Sequence, residues 1–150
     1  MLDAAQNYAD KNSTCCKVKV GSVIVVPDLQ VYVYGCNHGV HNCTMRGCRR
    51  VMLYGEASKS HRLPSDCDSI HSEVDAIGKA AKNGWKLDGA TIYVSRYPCE
   101  NCARAIVAAG IKRVIYGRKE GISDYTKQIL DSGDVKVIKV EDWEREDNNE

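Results

Sequence analysis

The chain has 150 residues, 43% of them apolar, and its 21 basic side chains against 20 acidic ones give a net charge of +1. That length is expected of one domain with a sizeable core. The balanced charge argues against a broad nucleic-acid or membrane surface, and no run of about eighteen apolar residues is present to span a bilayer.

The opening residues, MLDAAQNYADKN, lack the basic start and apolar run of a secretory leader. Leu2, Ala5, Tyr8 and Ala9 recur at helical spacing and predict a helix over 2–11. Val20 to Val26 is β-branched, Pro27-Asp28 turns the chain, and Val31 to Tyr34 continues as a second strand, so the pair reads as a hairpin. Residues 35–70 then lose all periodicity and are too long for an ordinary connection. Such a segment needs something other than a packed face to hold it. From His71 the helical pattern returns with Val74, Ile77 and Ala81 on one face, ending at Asn83-Gly84. Thr91 to Ser95 predicts a strand, Glu100 to Ala109 a helix closed by Gly110, and Lys112 to Tyr116 a strand. Thr126 to Leu130 lies in a helix ending near Gly133, and Val135 to Val140 makes a last strand before an acidic tail expected to fray. This alternation predicts helices packed on a sheet.

Eight cysteines and four histidines are many for this length. With a reducing, cytoplasmic setting expected, cysteines at this density point to metal sites; a secreted disulfide framework is the bland alternative. The sharpest pattern is His71-Ser72-Glu73 followed by Pro98-Cys99-Glu100-Asn101-Cys102. Each half alone is weak, since an HxE tripeptide is mostly accidental and a CxxC serves redox or structural roles. Together they match the H-x-E…P-C-x-x-C signature of zinc deaminases. His71 opens one predicted helix, and Cys99 and Cys102 open another. Three ligands leave a fourth position for water, the mark of a catalytic zinc site. A helix N-terminus favours the thiolates that zinc needs. Two thiolates cancel the charge of the ion, so its water is acidified less than at an all-His site, and Glu73 is expected to supply the missing base. One carboxylate then takes the proton from water, delivers it to N3 of a cytosine ring, and carries a proton to the departing 4-amino group. The competing reading is a closed structural zinc knot with Glu73 merely solvated.

With these motifs the chain resembles the zinc-dependent cytidine deaminase superfamily and, within it, the deoxycytidylate (dCMP) deaminases, especially those of the compact bacteriophage type. The resemblance covers residues 13–140. It rests on Cys15-Cys16-Lys17-Val18-Lys19-Val20-Gly21-Ser22-Val23-Ile24, on Gly35-Cys36-Asn37-His38, on Asn42-Cys43, on HSEVDAI from His71 and on PCENCARAI from Pro98. It implies a three-layer α/β/α fold with a five-stranded mixed sheet, a single deaminase domain and a homohexamer. It implies conversion of dCMP to dUMP for thymidylate synthesis in the cytoplasm, the host's if the source is viral. Neither nucleic acid nor membrane is implied as a partner. For the substrate it implies that Asn37 holds the sugar, the backbone around Ser72 reads the pyrimidine edge, and the Ser95 carbonyl accepts from the 4-amino group. Lys19 is the candidate for the 5′-phosphate, or else a solvated strand charge. Tyr125 is the first choice for stacking on the base and Tyr97 the next.

The same resemblance implies a second, structural zinc held by the 35–70 insertion. Cys15, Cys43 and His61 match its ligands, whereas Ser69 stands where the family has a carboxylate. Cys67, a much better ligand than serine, would complete the set, with Cys48 as its competitor. Cys16 and Cys36 read as small buried residues and His41 as a surface histidine. Finally, the family binds dCTP as activator and dTTP as inhibitor, each with Mg²⁺, near a Gly-Tyr-Asn-Gly loop. Here the loop is Gly35-Cys36-Asn37-His38, which keeps the turn and the amide but loses an aromatic ring and gains an imidazole. The alternative activity sharing this motif is deamination of cytosine in a polynucleotide or of adenosine in tRNA, which would need a basic groove that the composition does not suggest.

Overall fold

A computed structural model describes residues 1–55, 66–118 and 123–143. The amphipathic start of the chain forms α1 (Leu2–Asn12), which buries Leu2, Ala5 and Ala9. β1 (Gly21–Val26) and β2 (Val31–Cys36) form the hairpin, in the register Val26↔Val31 to Gly21↔Cys36. Two short helices follow that periodicity did not reveal, α2 (Cys43–Arg46) and α3 (Arg49–Tyr54). Helix α4 (Ser72–Lys82) leads to β3 (Thr91–Arg96), α5 (Glu100–Ala108), β4 (Arg113–Arg118), α6 (Asp124–Ser132) and β5 (Lys136–Lys139). The strands form one sheet in the order β2-β1-β3-β4-β5. β1 runs antiparallel to both its neighbours, while β3, β4 and β5 are parallel, so the sheet is mixed.

Two glycines show how the layers are arranged. A Cβ at Gly35 would run into the carbonyl of Ser72 on α4, and a Cβ at Gly21 into the carbonyl of Ala5 on α1. Ser22 stands opposite Gly35 in the hairpin, and its hydroxyl lies 2.6 Å from that of Ser72. Successive strand residues face opposite ways, so Gly21 and Ser22 assign α1 and α4 to opposite faces of the sheet. Both helices approach closely because glycine stands under each. Helices α4, α5 and α6 adjoin in turn on one side. On the other side Trp143 packs against Gly117 beside α1, its indole donating to Asp3 at 3.1 Å. The core between sheet and helices is aliphatic: Ile24, Ile92, Val94, Ile106, Val114 and Leu130 are fully buried. Each contributes roughly 1.5–3 kcal/mol of burial. Among the described residues no helix is long and apolar enough to cross a membrane.

Candidate active site and metal centre

The sheet brings the N-termini of α4 and α5 together. His71 is the N-cap residue of α4 and Cys99 that of α5, and neither side chain caps its own helix. Instead the His71 Nδ1 lies 3.5 Å from the Cys99 Sγ and 3.3 Å from the Cys102 Sγ. The three donor atoms all lie within 4.8 Å of one another, the one such cluster among the described residues. Hydrogen bonding from Cys102 draws the Cys99 thiol down to about 3, with His71 helping against burial. Bonding to Cys99 and burial push Cys102 up, and the bond to Cys99 raises His71 despite burial. Three groups that compete for protons in this way would exchange them for a dication, which binds Cys as thiolate and His as neutral imidazole. The donor set therefore fits zinc.

Glu73 stands one residue into the same helix, only 4% exposed. Burial raises its carboxyl above the usual range, opposed by a backbone N–H, His71 and the Ser72 hydroxyl, whose oxygen is 3.1 Å from Oε2. His71 and Cys99 are open on the side away from the core, and with Glu73 they line a cavity of about 470 Å³. A buried carboxylate beside three ligands with one open side is an arrangement for activating water.

The conserved-domain description "Cytidine and deoxycytidylate deaminase zinc-binding region" matches residues 1–118, which include both helix N-termini. The chain belongs to this deaminase family. The ComE operon protein 2 of Bacillus subtilis is 35% identical over 133 residues, covering 86% of this chain and 64% of that protein. The deoxycytidylate deaminase of Mycobacterium phage D29 is 33% identical over 114 residues, covering 74% and 87%. The matched stretch spans only 35% to 64% of the length of several curated relatives, among them the human and phage T4 deoxycytidylate deaminases. The crystal structure of dCMP deaminase from cyanophage S-TIM5, in complex with dCMP and dUMP, superposes with a TM-score of 0.67 at 24% identity, covering 93% of both chains. At that identity it speaks for the shared α/β fold.

Around the deaminase-family centre, the cavity lining includes Asn37, Ser72 and Tyr97. Asn37 is largely committed within the fold. Its Oδ1 accepts from the Val20 N–H at 2.9 Å and lies 2.7 Å from the Ser13 hydroxyl, and its Nδ2 donates to the Val18 carbonyl at 2.7 Å. Among the described residues its second amide hydrogen meets no acceptor. Tyr97 packs edge-on against Tyr116, 4.9 Å between centroids. Tyr125 is placed elsewhere, half-exposed on α6 beneath the Arg104 guanidinium. Lys19 is also outside the lining, its ammonium donating to the Asp10 carbonyl at 3.1 Å. Ser95 is buried and likewise outside the lining, next to Arg96, its hydroxyl accepting from the Gly21 N–H at 3.0 Å. The cations in the lining are Lys17, Arg49, Arg50 and Arg96, none of which the sequence singled out. Arg50 acts electrostatically on His71, opposing its protonation. The one signal available in sequence was the place of Arg96, just before Tyr97-Pro98-Cys99.

The proposed structural-zinc residues fall less neatly together. His61 lies outside the described residues. Cys15, Cys43, Cys48 and Cys67 all line the cavity. Burial raises the Cys43 thiol, and Cys15, Cys16 and Cys48 raise it further. In the candidate effector loop, Gly35 lies under α4, Cys36 is buried, and the His38 Nε2 is 3.0 Å from an Asp75 oxygen.

Proposed function

We propose that this chain deaminates dCMP hydrolytically to dUMP and ammonia. The observation that carries the reading is one cavity lined both by the His71, Cys99 and Glu73 centre and by the guanidinium-bearing Arg50 and Arg96. A nucleotide needs both: a reactive centre for its base and cations for its phosphate. The volume suits a ligand of that size. His71, Cys99 and Cys102 would hold zinc, which supplies the Lewis acidity that makes water nucleophilic at neutral pH. Glu73 takes a proton from the water attacking C4 and delivers it to N3, then carries the remaining proton of the new C4 hydroxyl to the 4-amino group, so that the C–N bond breaks, ammonia leaves and C4=O forms. Its burial helps, because a raised carboxyl holds a proton longer between transfers. The backbone at Ser72 reads the pyrimidine edge and the Ser95 carbonyl accepts from the amino group. Tyr97 replaces Tyr125 as the stacking ring. The remaining Asn37 N–H donates to a sugar hydroxyl. Arg50 and Arg96 replace Lys19 at the phosphate, where guanidinium forks suit the oxygens.

Finer parts of the reading rest on family resemblance. Residues 1–150 form one deaminase domain that works as a cytoplasmic homohexamer and supplies dUMP for thymidylate synthesis. The 35–70 insertion binds a second zinc through Cys15, Cys43, His61 and either Cys67 or Cys48. dCTP-Mg²⁺ activates and dTTP-Mg²⁺ inhibits through Gly35, Cys36, Asn37 and His38; rates at sub-saturating dCMP unchanged by either nucleotide would remove that regulation.

The deciding experiment compares ammonia release by the zinc-loaded protein from dCMP, deoxycytidine and a short cytosine oligonucleotide. The expected result is zinc-dependent turnover with dCMP strongly preferred. Preference for the oligonucleotide, or equal turnover of dCMP and deoxycytidine, would overturn it.

A further inference from the structure

A substrate held at its base by α4 and at its sugar by the chain after β2 requires a fixed distance between those two elements. One carboxylate spans them. Asp75 lies on α4, two residues beyond Glu73. Its Oδ2 accepts the backbone N–H of Cys36 at 3.1 Å and the Lys79 ammonium at 2.8 Å, and its Oδ1 is 3.0 Å from the His38 Nε2. The residues immediately before and after Asn37 are thus tied to one side chain. Burial pushes the Asp75 carboxyl up, but bonds from Lys79 and His38 outweigh it and hold the group below the usual carboxylate range.

Other contacts secure the edges of this joint. The His38 N–H donates to the Ile70 carbonyl at 3.2 Å, and the Ile70 N–H returns to the His38 carbonyl at 2.7 Å, one residue before His71. Lys79 also donates to the Tyr34 carbonyl at 3.0 Å and to the Tyr8 hydroxyl at 3.2 Å. A mere surface pair at i,i+4 spacing would leave both partners in water. Here the Asp75 side chain is only 9% exposed and takes donors from β2, the following loop and its own helix.

We propose that Asp75 is a positioning residue: it sets the Asn37 amide against the Ser72-Glu73 turn, and so determines how strongly the site selects a substrate with a sugar hydroxyl. This rests on the dCMP reading above and extends it to what holds the specificity contact in place. Glu73 and the metal ligands keep their own supports on the helix. Loss of Asp75 therefore acts on substrate binding before it acts on chemistry.

The test uses the zinc-loaded full chain and two substrates, dCMP and 2′,3′-dideoxycytidine 5′-monophosphate. Wild type is expected to favour dCMP. Asp75→Ala should raise KM for dCMP about tenfold, a loss typical of one well-placed hydrogen bond, while kcat changes less than threefold. Its preference for dCMP over the dideoxy analogue should fall toward unity. Asp75→Asn keeps an acceptor for the Cys36 N–H and should retain part of the preference. Hydrogen exchange at the amides of Cys36 and His38 should quicken in both variants while α4 stays protected; it reads the joint even if Asp75→Ala is too unstable for kinetics. Preserved discrimination, unchanged exchange, or a fall in kcat with KM unaltered would overturn the proposal. So would a wild type indifferent to the sugar hydroxyl. A wild type that does not deaminate dCMP at all would instead overturn the underlying functional reading.

Discussion

Cys99 precedes and Cys102 stands on the first turn of a nine-residue helix that buries Cys102, Ala103 and Ile106, whereas Cys43 begins and Cys48 precedes helices of four and six residues that bury nothing. Both regions gather thiols beside the same cavity, yet they are built on opposite terms. At the candidate metal centre the core fixes α4 and α5, and their N-termini bring the three donors together. In the insertion the helices are too short to be stable alone, and Met45, Met52 and Leu53 lie exposed on them. There a metal would have to supply order. The difference separates a donor cluster set on packed helices from thiols set on a segment that buries no face of its own.

The largest expected effect tests the first half of that contrast. Glu73→Gln should lower kcat by at least the roughly 10²–10⁴-fold of a general acid–base group, since one residue serves several transfers. Zinc content should stay at the wild-type level, because Glu73 is not one of the donors. Activity above about a tenth of wild type would remove Glu73 from the proposed role.

The next asks whether the two regions are as separate as their construction suggests. Arg50 lies on α3 and Arg96 at the end of β3, so the proposed phosphate contacts come one from each region. Arg50→Ala and Arg96→Ala should each lower kcat/KM for dCMP by roughly 10–100-fold, on the scale of charge-assisted hydrogen bonds, and leave the slow reaction of deoxycytidine nearly unchanged. If only Arg96→Ala has this effect, the insertion plays no part in substrate recognition.

Metal analysis addresses the second half directly. Purified protein should hold two zinc ions per chain, and Cys43→Ser should remove one while sparing the catalytic ion. Melting temperature should fall by several degrees, as expected when roughly 1–3 kcal/mol is lost from a chain of this length. A single zinc in wild type would mean that the insertion is held by something else. Cys48→Ser and Cys67→Ser, assayed alike, would identify the fourth ligand by which one loses the ion.

The same contrast explains what the sequence made legible. The β-branched run to Val26 marked β1, and helical spacing marked α4, though on the wrong face: Val74 and Ala81 are exposed and Ile77 half-buried, while the helix buries Ser72, Glu73, Ala76 and Ala80. The three candidate metal donors were legible because HxE and PCxxC are local spacings. α2 and α3 escaped because four or six residues without a buried face carry no period. The proposed stacking ring and phosphate cations were harder for another reason. Tyr97 and Tyr125, or Lys19 and Arg50, have the same chemistry, and only the folded chain shows that Tyr97 and Arg50 line the cavity while Lys19 bonds Asp10. Asp75 was read only as part of HSEVDAI, since its partners Cys36 and His38 lie some forty residues earlier in the chain.

The smallest expected effect falls on the joint between the regions, where Asp75 on the ordered helix meets the first residues of the insertion. Hydrogen bonds to a charged group contribute about 1.5–3 kcal/mol. The His38 and Lys79 side chains are 37% and 38% exposed, and screening reduces that to roughly 1–2 kcal/mol for Asp75→Asn. The pH dependence distinguishes a charged joint from simple packing. The folded-state pKa of Asp75 is lowered, so its contribution is complete at neutral pH, above the unfolded-state value. It is lost as pH falls through the lowered folded-state value, where the folded protein takes up the proton. Melting curves of wild type and Asp75→Asn should therefore differ most near neutrality, by a few degrees, and converge in acid. A difference that stays constant with pH would show that the carboxylate's shape, and not its charge, holds the two regions together.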